Sequence, residues 1–140
     1  MILSLVAFFS YSIYIAVYPA DSFYFDDFKT VTSREIPKSA LVIDKSASYP
    51  DFHGHYISCS LIRLSKQDYL NLLNELNNDK RMYKNAEIIY SPEFNEVMKN
   101  KNAKNIKSAF ARSNDGKPDE CSYIGLFDDE KTIVVWFFNT

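Results

Sequence analysis

Glycine is scarce in this chain of 140 residues and occurs only at positions 54, 116 and 125. So little glycine leaves no phosphate-cradling loop, and neither a G-x-S-x-G nucleophile elbow nor a C-x-x-C pair is present. Cysteine is confined to Cys59 and Cys121, and histidine to His53 and His55. Charge of one sign is missing as well. The 16 basic and 18 acidic side chains leave a formal charge of -2, which offers no strong field for nucleic acid and no acidic tail. No nucleic-acid partner and no cofactor is therefore expected. No internal repeat, low-complexity tract or long glycine-proline linker divides residues 21–140, so a single domain is expected there. With 46% apolar and 24% charged residues, the composition is that of an ordered globular domain.

What is present begins with an apolar run. MILSLVAFFSYSIYIAVY, Met1 to Tyr18, has no charged side chain and follows neither a period of 3.6 nor one of 2, the pattern of a lipid-facing or fully buried helix. At ~1.5 Å per residue it reaches ~27 Å, just enough for a thin hydrocarbon core. Its serines can bond carbonyls one turn back, and tyrosines near its ends suit a membrane interface. Cleavage after Ala20 would put Tyr18 where a small residue is needed, and no cysteine follows to carry a lipid. The expectation is a transmembrane anchor, or uncleaved signal, over residues 1–19 and an extracytoplasmic domain over 20–140. With no lysine or arginine before the run, the downstream part is placed on the periplasmic side of a bacterial inner membrane. Membrane contact is assigned to residues 1–18.

Downstream, Tyr24, Phe28 and Val31 share one helical face, with Asp21 or Ser22 able to cap. ALVID (40–44) and HYISCSLIRL (55–64) read as strands. Ser65 and Asp68 form a capping box before the stripe Tyr69, Leu72, Leu73, Leu76, and Ser91-Pro92-Glu93 opens a helix with Phe94, Val97 and Met98 as its apolar face. NIKSAFARS is a further strand, and SYIGLF and TIVVWFF, joined by DDEK, form the clearest hairpin. The last strand is apolar on both faces, which marks it as central or covered on both sides. Strands and helices cluster instead of alternating. The fold class expected is α+β, a mostly antiparallel sheet of about five strands with a helix pair on one face.

The segment DFHGHY holds both histidines. In an extended chain Asp51, His53 and His55 would project to one side, as two imidazoles and a carboxylate around a metal would require. Pro50 and Gly54 argue instead for a turn in which Asp51 bonds nearby amides, leaving no metal site and no catalytic residue. Cys59 and Cys121 are disulfide candidates in an exported domain; closing a loop of about 60 residues is worth on the order of 4 kcal/mol, and two buried free thiols are the alternative. The lysine-rich stretch Lys99 to Lys107 reads as a solvated face that complements a helix end.

The hydrophobic N-terminus, FYFDDF, IPKSALVIDKSASYPDFHGHY and LSKQDYLNLL together resemble small membrane-tethered or lipoprotein-like bacterial proteins of unassigned function, over residues 20–76. The resemblance implies an acid after the H-G pair. His55 stands there instead, so the resemblance implies no required two-histidine site and transfers no functional residue. The function expected is contact with a partner protein, of immunity or envelope-accessory type and without turnover. Tyr49, Asp51, Phe52, His53 and His55 are its binding residues, together with the loop at 114–120. The alternative is a small metal-binding protein or hydrolase built on Asp51, His53 and His55.

Overall fold

The structure, a computed structural model, describes residues 2–140; Met1, the first residue of the expected anchor, lies outside the described residues. The elements run in the order α1 (Ile2–Val17), α2 (Asp21–Thr32), β1 (Leu41–Ala47), β2 (Tyr56–Arg63), α3 (Lys66–Asn78), β3 (Met82–Lys84), α4 (Pro92–Val97), β4 (Ile106–Asn114), β5 (Lys117–Pro118), β6 (Ser122–Phe127) and β7 (Thr132–Asn139). The fold is α+β with one seven-stranded sheet, ordered β1-β2-β7-β6-β4-β3 with β5 paired to β4, and every pairing is antiparallel.

The sheet is built around β7, which lies between β2 and β6. Successive side chains of a strand point to opposite faces. Ile133, Val135 and Phe137 accordingly pack with Phe28 and Val31 of α2 and Tyr69, Leu72 and Leu76 of α3. Val134 and Trp136 face the other way, onto Cys59, Leu61, Tyr123 and α4's Phe94 and Val97. Each fully buried leucine or phenylalanine of these layers contributes about 1.5–3 kcal/mol of transfer free energy. The Ser91 cap forms and the capping box at Ser65 forms only in half. Ser65 Oγ accepts from the Asp68 amide at 3.1 Å, but the Ser65 amide donates to Ser39 Oγ in place of the Asp68 carboxylate, while Ser91 Oγ accepts from the Phe94 amide and from the Trp136 indole, both at 3.1 Å. Helix α2 has Ala20 at its N-cap and no side-chain cap, so neither Asp21 nor Ser22 fills that role.

Four expectations are corrected. No helix among the described residues is long and apolar enough to cross a membrane. Helix α1 stops at Val17, just before Tyr18 and Pro19, and its 16 residues reach ~24 Å against a ~30 Å hydrocarbon core. Ser12 does bond the Phe8 carbonyl at 2.9 Å, but shielding a hydroxyl adds no length. The single-pass inner-membrane placement, with the domain on the periplasmic side, falls with the anchor.

The sheet has seven strands in place of about five, because β3 and β5 are only three and two residues long and show no alternation to read. The helices are also divided between faces. Strand β3 lies at the edge of the sheet, so the chain passes from α3 on one face round that edge to α4 on the other.

Finally, Cys59 and Cys121 are free thiols. Cys59 stands opposite Trp136 on β7, while the Cys121 carbonyl accepts from the Phe138 amide on β7's other side. Two strand spacings and two residues along the sheet separate their Cα atoms by ~12 Å, against the ~7 Å limit for a disulfide.

Candidate binding surface

The strand register decides which loops share an end of the sheet. Tyr56 at the start of β2 pairs with Asn139 at the end of β7, and Phe137 pairs with Ser122 at the start of β6. Arg112, near the end of β4, donates its amide to Ser122 Oγ at 2.9 Å, and Ser113 and Asn114 pair with β5. The β1–β2 loop, the β4–β5 turn and the segment leading into β6 therefore lie at one end of the sheet, with the end of β7 between the first and the other two. Lys99 to Lys107 sits at the opposite end, where Asp128's amide bonds the Asn105 carbonyl.

Within the β1–β2 loop the backbone turns tightly and is not extended, so the common projection of Asp51, His53 and His55 along a strand does not arise. Asp51 Oδ1 accepts from the amides of His53 at 2.8 Å and His55 at 2.9 Å, while Gly54, at φ 79°, donates to the Asp51 carbonyl. A residue with a Cβ is strained at that φ; glycine is not. These amides, His55's foremost, hold the Asp51 carboxyl below the usual carboxylate range. His55 Nδ1 stands 3.3 Å from Asp51 Oδ2, and the two imidazole rings are 5.6 Å apart.

Among the described residues no group of three or more His, Cys, Asp or Glu side chains is placed to hold a metal ion. The carboxylate is engaged with its own backbone. Around this frame Tyr49 and Phe52 stand exposed, the latter completely. Asn139 ties the loop to the C-terminal strand through the Gly54 carbonyl at 3.3 Å.

Two clefts open at this end. One of about 380 Å³ lies between the α1–α2 junction and the loop, with Phe23, Pro50 and Tyr56 in its wall. Beneath it is a buried carboxylate that the sequence reading missed: Asp27, 4% exposed, accepts from Tyr56 Oη at 2.8 Å and Ser58 Oγ at 2.6 Å. Burial raises its pKa above the usual value against the pull of both hydroxyls. The signal was present, since Asp27 lies three residues after Tyr24 on the same helical face.

The larger cleft, about 670 Å³, opens where residues 85–89 cross beside β4 and the segment 118–122. Its floor is Ala111, opposite Tyr83 in register. The small side chain of Ala111 leaves that stretch of sheet without the bulk that Phe110 supplies to the other face. Glu87, Asp119 and Glu120 stand at its walls.

No family model matches the chain, and neither a curated protein nor a solved structure matches it. The resemblance over residues 20–76 thus rests on those residues alone.

Proposed function

We propose that this domain acts by contact with a partner protein, without turnover, through the end of the sheet that carries residues 48–55 and 114–121. The observation that carries the reading is the placement of these loops at the same end of one antiparallel sheet, with Tyr49 and Phe52 exposed while most aromatic side chains of the domain are buried. Exposed aromatic anchors beside polar groups supply the mixture that interface hot spots use, and Asp51 fixes the loop in advance, which lowers the entropy cost of association. An immunity-type role, in which the domain occupies a toxin surface, needs no anchor and remains within this reading.

Crosslinking in native cells followed by capture of the full chain tests it. Tyr49→Ala with Phe52→Ala is expected to lose the captured partner while the melting temperature stays unchanged. Undiminished capture by this folded variant moves the interface elsewhere, and absence of any crosslinked protein sinks the contact reading.

A further inference from the structure

The larger cleft has features that aromatic contact at the β1–β2 loop does not use. Its two walls each mix carboxylates with apolar side chains. Asp119 is already paired, its Oδ2 accepting from Arg112 Nε at 2.9 Å, with the guanidinium lying over the Phe137 ring on the opposite face of the sheet. Glu87 and Glu120 are different. Both line the cleft, both are exposed, and neither makes an ion pair or a side-chain hydrogen bond among the described residues. The lining contains no lysine or arginine. Ile88, Ile89 and Pro118 supply apolar wall, and Ala111 an apolar floor.

We propose that this cleft receives a basic segment of the partner protein, a lysine or arginine flanked by an apolar side chain, and this rests on the contact reading above. The carboxylates set the sign of the occupant. Two unpaired carboxylates facing a half-enclosed space attract a cation more strongly than they would on open surface, because the low-dielectric walls concentrate their field. The volume lies within the ~300–1,000 Å³ of small-ligand sites, room for one long side chain and its neighbour. The space itself comes from a small residue and a turn. Ala111 on its floor leaves it unfilled, and Asn85, in the left-handed region at φ 57°, turns the chain from β3 into the crossing that forms the opposite wall. The cleft also adjoins the segment 118–122, which belongs to the proposed contact end, so one partner can engage the aromatic loop and the acidic cleft together.

The test uses the full chain and three probes: a blocked peptide Gly-Lys-Leu-Lys-Gly, the same peptide with glutamate for lysine, and spermidine. Amide chemical shifts are followed by NMR during titration. The lysine peptide is expected to produce saturable shifts centred on 86–89 and 119–122, and Glu87→Gln with Glu120→Gln to weaken its binding about tenfold, as the loss of two exposed ion pairs implies. The glutamate peptide is expected to produce none.

Equal shifts with the glutamate peptide, or equal binding by the double variant, overturn the proposal. So does spermidine matching the lysine peptide, which would make the apolar wall irrelevant. Concentration-dependent association of the chain with itself, abolished by reversing Lys101 and Lys104, would assign the cleft to a second copy and likewise overturn it. Failure here leaves capture through Tyr49 and Phe52 untouched, whereas loss of that capture with the peptide still bound refutes the loop reading alone.

Discussion

Asp27 offers the sharpest test of how α2 is held to the sheet. Removing its carboxylate in Asp27→Ala leaves Ser58 Oγ buried and Tyr56 Oη half-buried, both without their acceptor. At roughly 1–2 kcal/mol for each stranded hydroxyl, the loss is about 2–4 kcal/mol. Asp27→Asn retains an acceptor oxygen and buries no charge, so at pH 7 its cost is expected to stay within about 1 kcal/mol. The pH dependence separates the two effects. Burial raises the folded pKa above the unfolded value, so the folded state binds the extra proton in the acid window between them. Stability contributed by Asp27 is fully present below the unfolded pKa and is lost as pH rises through the folded one. The wild type should therefore lose ground to Asp27→Asn as pH rises across that window, and the difference should level off above it. Urea unfolding followed by the single buried tryptophan, Trp136, at intervals from pH 4 to 8 measures this directly. Subtracting one variant from the other removes the titration of other carboxylates. If Asp27→Ala is no less stable than Asp27→Asn, or if the wild type gains on Asp27→Asn as pH rises, the account of a buried, burial-dominated carboxylate is wrong.

Much of the fold was legible because side-chain period reports burial. The β6–β7 hairpin, the double-faced burial of β7, the two serine caps and the helical stripes of α2 and α3 all lie where periodicity and cap chemistry put them. Properties that depend on strand order were not legible. No local pattern says that β7 inserts between β2 and β6, yet that insertion separates Cys59 from Cys121 and carries α3 and α4 to opposite faces. The apolar N-terminal run was plain, but its helix ends at Val17, and a difference of two residues decides between reaching and missing the span of a bilayer. For the site, the turn at Gly54 and the amide-binding role of Asp51 followed from residue type. The acidic cleft did not, because it arises from a small residue on one strand and a crossing segment of irregular backbone, neither of which has a period.

Asp79 joins Arg34 at 2.8 Å and Arg81 at 2.8 Å, with the Arg81 hydrogen bond the main reason its carboxyl lies well below the usual range. Asp79→Asn should cost about 1–2 kcal/mol at pH 7, and because the folded pKa is depressed, that difference should shrink as pH falls below the unfolded value, as read from melting curves. Burial pushes the Cys59 thiol up, so with native protein a disulfide reagent should titrate Cys121 first and reach Cys59 only on unfolding; oxidised protein with no free thiol would contradict the register. Gly125→Ala should cost about 1–3 kcal/mol in urea unfolding, since its Cβ would stand 3.0 Å from Ile106 Cγ2, Tyr123 Oη and Val134 Cγ1. The last prediction concerns the loop itself. The turn is held by amides converging on Asp51 Oδ1, and the imidazoles contribute only one exposed contact at 3.3 Å. Asp51→Ala should therefore speed hydrogen exchange at the amides of residues 53 and 55 and weaken partner capture, while His53→Ala with His55→Ala should leave both nearly unchanged. The opposite ranking, with the histidine pair controlling exchange and capture, would show that the side chains and not the backbone frame organise this surface.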